Sequence, residues 1–444
     1  MSNSIFLLWL LSIPLAIHAN PSPSVHIKHN WTEIVLKKSR VPYIDDIILN
    51  FQKHSRINKE QTDLTSTDIH LGNYLINCGS NEDLQEGLLT YVPDDNFIST
   101  GKKTTLNRTD ILPRLQTLRY FPNANARKYC YSFPVIKEGK YLVKTIYYYG
   151  GFDGGNEPPV FDQIIDGTKW SIVNTTEDYA SGGSSYYEAI VVAQNKFLSV
   201  CLARNQHTSA GSSPFISSIE VYHLDGSVYN STKLENSMLM TVARNVFGSE
   251  GDIIRHISNE HEISFPDDNF NRFWHPFKDD NPFVSSHSNV TPSRFWNIPP
   301  QKALASAITT SRGKNITIQW PQFPLSNGLY YIALYFQDTR TPSPYSWRVF
   351  DINVNGQKFY ENVNVTDSGQ SVVPVGPLIN AGEILQILPF GEKTVTRDVV
   401  AMEELRKGLT NPPEDWAGDP CLPRENSWTG VSCSREDPFR VLSL

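Results

Sequence analysis

Aromatic and acidic residues gather in one stretch of the sequence, between positions 148 and 179, where they follow a predicted strand and its glycine-rich loop. Flat rings pack against the apolar face of a sugar, and a carboxylate accepts hydrogens from sugar hydroxyl groups. The stretch therefore predicts a carbohydrate-binding site. The alternative is that the alternating tyrosines are core or interface residues. The candidate ligand-binding residues are Tyr148, Tyr149, Phe152, Asp153, Trp170 and Tyr179.

Motifs of common enzyme and metal sites are incomplete in this sequence. His261-Glu-Ile-Ser-Phe265 begins like a zinc-protease motif but lacks the second histidine. The glycines of 150–155 are not followed by Gly-Lys-Ser/Thr, and Ser184 and Ser185 lack the Gly-x-Ser-x-Gly pattern. A glycosidase needs only two carboxylates, but the sequence singles out no pair. We predict no catalytic residue, no metal ion and no cofactor, with a carbohydrate-active enzyme as a remote alternative.

Two Asp-Asp-Asn triplets, at 94–96 and 267–269, offer oxygen ligands to calcium. The alternative is that their side chains close turns by accepting backbone N–H bonds. We favour the turns.

An internal repeat organises the chain. The stretch 138–149 reappears at 327–338, and Gly139 and Gly328 are 328−139 = 189 residues apart. This spacing indicates a duplicated domain. Further pairs at the same spacing are Tyr141 and Tyr330, Phe161-Asp162 and Phe350-Asp351, and Asp166-Gly167 and Asn355-Gly356.

The strands are short and turns are frequent. Tyr141 to Tyr149 alternates like a half-buried antiparallel strand, and Asp166-Gly167 is a hairpin signal. Asp398 to Leu405 carries charges at helical spacing and is either a strand or a final helical turn. The pattern predicts an all-β fold of sandwich or barrel domains. The predicted segments are a signal peptide (1–19), a poorly ordered extension (20–72), repeat one (73–230), repeat two (236–408) and a C-terminal module (409–444).

The N-terminal apolar stretch ends at Ala16-Ile-His-Ala19 and suits a cleaved secretory signal. The net charge of −7 without long runs of one sign gives no indication of nucleic-acid binding. No later stretch has 18 uninterrupted apolar residues, so we expect any membrane anchor to lie past Leu444. Behind a signal peptide, the sequons predict a glycosylated surface. They are Asn30, Asn107, Asn174, Asn230, Asn289, Asn315 and Asn364.

Five cysteines leave at least one without an internal partner. Cys421 and Cys433 lie close together in a Pro-rich module and are predicted to pair. Cys78, Cys130 and Cys201 all lie in repeat one, where we expect one bridge and one free thiol, with the pair left open.

Several motifs together resemble the extracellular part of plant malectin-like leucine-rich-repeat receptors. They are Ile76-Asn-Cys-Gly-Ser80, Leu118-Arg-Tyr-Phe-Pro122, Cys130-Tyr-Ser-Phe133, Lys140-Tyr-Leu-Val143, Pro214-Phe-Ile-Ser217 and Gly418-Asp-Pro-Cys421. Trp428-Thr-Gly-Val-Ser-Cys433 resembles the N-terminal cap of plant leucine-rich repeats, and the ending at Leu444 resembles the start of a first repeat.

The resemblance implies two tandem malectin-like jelly-roll sandwiches followed by a disulfide-capped linker that opens a leucine-rich repeat. It also implies the ligand-binding region of a receptor-like protein. That protein is expected at the extracellular face of the plasma membrane or as a secreted protein. The expected partners are a cell-wall oligosaccharide or a secreted peptide, and a co-receptor protein. The alternative is a protein-interaction scaffold that binds co-receptors without sugar. Whether a kinase follows stays open, and we favour a receptor-like protein without one.

Overall fold

A computed structural model describes the chain at residues 16–17, 24–27, 33–38, 73–154, 157–230, 232, 234–249, 264–285, 295–311, 314–338, 346–365 and 373–444. Strands make up 43% of it and helices are few, which confirms the predicted all-β fold class. Several predicted features lie outside these residues: most of 1–72, the sequons Asn30 and Asn289, and the start of the incomplete zinc motif at His261.

Three strands precede repeat one: β1 Ala16–Ile17, β2 Ser24–Ile27 and β3 Glu33–Lys38. The elements of repeat one are β4 Tyr74–Asn77, β5 Leu84–Glu86, β6 Leu89–Pro93, β7 Lys102–Thr105, β8 Thr117–Tyr120, β9 Tyr129–Pro134, β10 Lys140–Tyr147, β11 Val160–Ile165, β12 Thr168–Asn174, helix α1 Thr176–Ala180, β13 Ser185–Val192, β14 Phe197–Arg204, β15 Phe215–Ile216 and β16 Ser218–Leu224.

The elements of repeat two are β17 Ser237–Phe247, β18 His275–Phe277, β19 Phe283–Ser285, β20 Ser306–Thr309, β21 Ile316–Gln319, β22 Gly328–Tyr335, β23 Ser346–Trp347, β24 Val349–Val354, β25 Gln357–Asn364, β26 Val373–Pro374, β27 Leu378–Ile379, β28 Ala381–Pro389 and helix α2 Thr396–Gly408. The C-terminal module contains β29 Ser432–Cys433 and β30 Val441–Ser443. The segment Asp398 to Leu405, which the sequence left between strand and helix, is therefore helical.

One sheet runs through both repeats. Among the described strands its order is β1-β22-β28-β17-β13-β10-β16-β4-β6-β5. The junction is the antiparallel pair β13–β17, where Ala189 faces Met240 and Ile190 faces Leu239. Smaller sheets, β12-β11-β14-β9 in repeat one and β21-β3-β24-β25 in repeat two, form the second layers. The repeats are thus joined by strand pairing as well as by their linker.

Strand β10 shows the consequence of this junction. Tyr141, Val143 and Tyr147 face the core of repeat one. The opposite face, with Leu142 and Lys144, is also buried, because repeat two covers it. The prediction of a half-buried strand is therefore wrong, since alternation within one strand does not show what a second domain covers.

Residues 33–38 differ from the extension predicted for 20–72. They form strand β3, which pairs with β21 on one side and β24 on the other. Ile34 and Leu36 are fully buried in the core of repeat two, which explains why the segment is held there. Strand β1 pairs with β22 but falls inside the predicted signal peptide, so cleavage after Ala19 would remove it.

The C-terminal module lies against repeat one. Lys128 donates its ammonium hydrogens to the backbone carbonyls of Asp419 and Leu422, at 2.5 and 2.6 Å. Ala417 packs on Cys130 and Cys201, which are buried in the sheet β12-β11-β14-β9. Within the module the rings of Trp416 and Trp428 are stacked 5.3 Å apart. These contacts fix the module to the repeat from which it is most distant in sequence.

The described cysteines form two bridges. Cys421 pairs with Cys433, as the sequence predicts. Cys130 on β9 pairs with Cys201, which faces it on β14, and this settles the pairing left open above. Cys78 is a free, buried thiol, and burial raises its pKa.

Candidate functional site

The glycine-rich loop after β10 carries four of the six candidate ligand-binding residues, which are Tyr148, Tyr149, Phe152 and Asp153. The backbone leaves the sheet at Tyr148, whose N–H donates to Ser217 Oγ at 3.0 Å. Gly150, Gly151 and Gly154 then adopt φ angles of 54°, 68° and 69°. These left-handed conformations favour glycine. The sequence therefore makes a tight turn that brings the loop back over the end of the sandwich.

Tyr149 belongs to the core. Its side chain is 1% exposed, and its ring meets Tyr179 edge-on, with the ring centres 4.9 Å apart. Its hydroxyl donates to Asp153 Oδ1 at 2.6 Å. Burial, and then this bond, raise the pKa of Tyr149. A ring enclosed in this way holds the loop in place and offers no face to a sugar in this conformation.

Tyr148 and Trp170 are also buried, at 2% and 4% exposure. Burial raises the pKa of Tyr148, whereas the positive charge of Arg108 opposes that rise. Trp170 lies on β12, where its ring meets Tyr187. The structure therefore places three of the six candidates in the packed interior, which matches the core interpretation weighed above for the tyrosines.

The rim of the loop is formed by the other three candidates and an ion pair. Phe152, Asp153 and Tyr179 are half-buried. Arg108 and Asp110, which sequence reasoning missed, form an exposed two-bond ion pair at 2.6 and 2.5 Å. Nothing in their sequence spacing indicates that they come near residues 148–179. Aromatic edges beside carboxylates and a guanidinium can bind hydroxyl-rich or charged ligands.

The corresponding place in repeat two has different chemistry. Gln337 and Asp338 replace Tyr148 and Tyr149. The Asp338 carboxylate accepts a hydrogen bond from Arg348 Nε at 3.0 Å, with both side chains almost fully buried. The rim described for repeat one is therefore not reproduced at these positions.

The two Asp-Asp-Asn triplets lie in turns that arginines hold. Asp94 accepts two bonds from Arg119, at 2.6 and 2.7 Å, and Asp268 accepts from Arg272 at 2.9 Å. The carboxylates of Asp94 and Asp268 are buried and neutralised by these partners. Within the described part of the chain, His, Cys, Asp and Glu form no group of three suited to a metal ion.

A buried ionic network joins the repeats. Arg244 on β17 reaches Glu188 of repeat one at 2.6 Å and Glu383 of repeat two at 2.8 Å, with all three side chains fully buried. Burial alone would raise the pKa of Glu188 and Glu383. Arg244 lowers both pKa values below their ordinary range together with other neighbours, which are Lys144 and Thr241 at Glu188 and Arg272, Tyr229 and Tyr335 at Glu383. The network thus places one cation between a carboxylate of each repeat at their junction.

The predicted glycosylation sites that the structure describes are all exposed. They are Asn107, Asn174, Asn230, Asn315 and Asn364. No helix in the described ranges combines the length and the apolar character needed to cross a bilayer.

Comparison with known proteins gives two family matches. The Malectin-like domain matches residues 76–386, well over half of the chain, and the Leucine rich repeat N-terminal domain matches residues 395–434.

Relatives include two Arabidopsis thaliana proteins. A putative leucine-rich repeat receptor-like serine/threonine-protein kinase is 29% identical over 377 residues, which are 78% of this chain and 40% of the relative. A second leucine-rich repeat receptor-like serine/threonine-protein kinase is 29% identical over 391 residues, which are 80% of this chain and 42% of the relative. The chain thus spans about two fifths of the length of these relatives.

Solved structures share the fold. The plant receptor-like kinase ANX2 superposes with a TM-score of 0.52 at 14% identity, over 71% of this chain and 96% of that one. The ANXUR1 extracellular domain from Arabidopsis thaliana gives a TM-score of 0.50 at 14% identity, with the same two coverages.

Proposed function

Because the chain belongs to the malectin-like domain family, with a leucine-rich-repeat N-terminal domain after it, we propose that it is the extracellular ligand-recognition region of a cell-surface receptor. The predicted signal peptide, the exposed sequons and the disulfides support passage through the secretory pathway. The proposed place of action is the extracellular face of the plasma membrane, or the space beyond it.

The proposed ligand site is the rim formed by Phe152, Asp153 and Tyr179, with Arg108 and Asp110 beside it. The observation that carries the proposal is this combination of half-buried rings, carboxylates and a guanidinium at one end of repeat one. Such groups suit a cell-wall oligosaccharide, whose sugar faces stack on aromatic edges, or a secreted peptide with charged side chains. Tyr148, Tyr149 and Trp170 support this surface from beneath.

The second candidate function is a protein-interaction scaffold that binds a co-receptor without sugar. The burial of Tyr148, Tyr149 and Trp170 favours it, because it leaves fewer rings for sugar stacking. The continuous sheet through both repeats also favours it, since a rigid body presents a constant surface to a protein partner.

Calorimetric titration tests the rim. The mature chain from residue 20 to residue 444 is titrated with glucose-, galacturonate- and xylose-based oligosaccharides and with secreted-peptide candidates. Asp110→Asn and Tyr179→Ala each remove one rim group, and we expect each to weaken binding at least about tenfold, or ~1.4 kcal/mol. Asp153→Asn would also disturb the hydrogen bond that Asp153 accepts from Tyr149. Tyr149→Ala is a poor probe, because it opens a cavity in the core.

Phe323→Ala is the matched control, since it removes a ring that is 47% exposed in repeat two. Its affinity should equal that of the unsubstituted protein. Equal weakening by Phe323→Ala, or unchanged binding after both rim substitutions, would contradict a ligand site at the rim. If the folded protein binds none of the oligosaccharides and peptides, this result would favour the protein-interaction scaffold.

A further inference from the structure

Most described strands of the two repeats correspond, and the exceptions are β5, β13 and β14 of repeat one and β23 and β26 of repeat two. By their pairing partners the corresponding strands are β4 and β17, β6 and β18, β7 and β19, β8 and β20, β9 and β21, β10 and β22, β11 and β24, β12 and β25, β15 and β27, and β16 and β28. Strands β13 and β14, which lie inside the sheets of repeat one, have no counterpart among the described strands of residues 236–408. The positions of β13 and β14 are therefore not filled in repeat two by any described strand of its own segment.

Strands β2 and β3 occupy those positions. In repeat one β14 lies between β9 and β11, and in repeat two β3 lies between the corresponding strands β21 and β24. Strand β13 pairs with β10, and β2 pairs with the corresponding strand β22. Both replacements are antiparallel, as in repeat one.

The register is the same in both repeats. Val191 faces Tyr141 and Val25 faces Tyr330, and the two tyrosines are 330−141 = 189 residues apart, which is the repeat spacing. The two valines differ by 191−25 = 166 positions.

At the other end, Arg204 faces Phe161 and Lys38 faces Phe350. Arg204 and Lys38 are 204−38 = 166 positions apart, and Phe350 and Phe161 are 350−161 = 189 positions apart. Residues 24–27 and 33–38 therefore correspond to 190–193 and 199–204, and the number of residues between the two segments is the same in both repeats.

Individual contacts repeat as well. Ile34 and Leu36 are fully buried in the core of repeat two, as Val200 and Leu202 are in the core of repeat one, again 166 positions away. These buried side chains are apolar in both repeats. The segment therefore contributes side chains to the hydrophobic core of repeat two as well as backbone hydrogen bonds to its sheets.

The same side-chain hydrogen bond links this strand to the neighbouring hairpin turn in both repeats. The Glu33 N–H donates to Asn355 Oδ1 at 2.8 Å, just as the Ser199 N–H donates to Asp166 Oδ1 at 2.8 Å. A segment placed by chance along a sheet edge would not reproduce the register, the buried positions and this turn contact together.

We propose that repeat two is a strand-acceptor site and that strands β2 and β3 of the same chain are its ligand. The site takes an extended segment with apolar residues at alternate positions, between the backbone groups of β21 and β24 and along β22. Without that segment, one edge each of β21, β22 and β24 and part of the core would face water, which is unfavourable for an extracellular protein. The region before repeat one in sequence thus belongs to repeat two in the fold.

Engineered cysteines in the mature chain test the register. Val35 faces Thr317, which reproduces the relation between Cys201 and Cys130. In the Val35→Cys, Thr317→Cys variant we expect a disulfide within one chain, found by mass spectrometry as linked proteolytic peptides. The control, Lys37→Cys with Thr317→Cys, moves one thiol two residues along the strand. Absence of the 35–317 bridge, equal bridging in the control, or a bridge between two chains would overturn the proposal.

Hydrogen exchange gives a second readout that needs no new disulfide. Leu36→Asp should speed amide exchange in β21 and β24 at least about tenfold while leaving β9 and β11 of repeat one protected. Lys37→Asp, on an exposed position of the same strand, should leave both repeats unchanged. A folded Leu36→Asp protein with unaltered exchange in β21 and β24 would contradict the proposal.

Discussion

Asp166 occupies the turn between β11 and β12, with a φ of 44°. One carboxylate oxygen accepts hydrogen bonds from Ser199, and the other is buried without a hydrogen-bond partner. Burial raises its pKa from the ordinary value of 3.8 to about 7, and Asp419 of the C-terminal module adds to the rise. The protonation of Asp166 is thus coupled to the charge of Asp419 in the C-terminal module.

The Asp166 carboxyl predicts a pH dependence of stability. Since its pKa is higher in the folded protein, the folded state holds the proton more tightly. Its contribution is full below pH ~4 and is lost as the pH rises to about 7, with a slope of at most ~1.4 kcal/mol per pH unit. Asp166→Asn should flatten this part of the profile in urea unfolding followed at pH 4, 5.5 and 7.

Asparagine fits the turn, because Asn355 occupies the corresponding position in repeat two with a φ of 50°. The control Asp280→Asn changes an exposed carboxylate and should leave the slope intact. An Asp166→Asn protein that keeps the full slope would assign the pH dependence to other groups.

At the scale of single residues, the candidate site could be predicted from the sequence only in part. The sequence located the glycine loop and its aromatic residues, because glycine and strand patterns are local. It did not separate the enclosed ring of Tyr149 from the half-exposed ring of Phe152, because burial depends on residues distant in the chain, such as Phe215. Arg108 and Asp110 were missed for the same reason.

At the scale of elements, strand periods and hairpin signals predicted the all-β class and many strands. The Asn355-Gly356 turn lies where the repeat spacing placed it, between β24 and β25. Strand β3 was missed, because its partners lie some 280 residues or more further along the chain. A short apolar run in a polar surrounding carries no local sign of such pairing.

Gly418 determines how closely the C-terminal module approaches repeat one. A Cβ at this position would lie 2.8 Å from Cys130 Sγ and 3.0 Å from Cys201 Sγ, and its φ is +69°. Gly418→Ala should therefore displace the module and weaken the Lys128 contacts with it. We expect faster amide exchange at residues 415–422 and more rapid proteolysis of the module.

Gly430→Ala is the matched control, since Gly430 has a φ of +83° but nothing within 4 Å of an added Cβ. It isolates backbone strain from the clash with the disulfide. If both substitutions expose residues 415–422 equally, the close approach at Gly418 does not hold the module in place.

At the scale of the whole molecule, the duplication does not produce two independent domains. The β13–β17 pairing continues the sheet, and a shared apolar cluster packs Leu142 and Ile190 of repeat one with Leu239 and Leu385 of repeat two. Arg244 adds a buried ion pair on each side of the junction. Domain interfaces within a chain are usually small and polar, and they permit motion. The interface between these two repeats instead resembles the hydrophobic core of a single domain.

We therefore predict that the two repeats unfold together. Scanning calorimetry of the mature chain should give one transition, with equal calorimetric and van't Hoff enthalpies. Arg244→Met leaves Glu188 and Glu383 buried without their cation, which should cost about 3–5 kcal/mol and broaden or split the transition. Arg397→Met, at a side chain that is 76% exposed, should change neither midpoint nor shape. Two resolved transitions in the unsubstituted protein would mean that the continuous sheet does not couple the repeats. In that case a ligand bound at the rim of repeat one would leave the stability of repeat two unchanged.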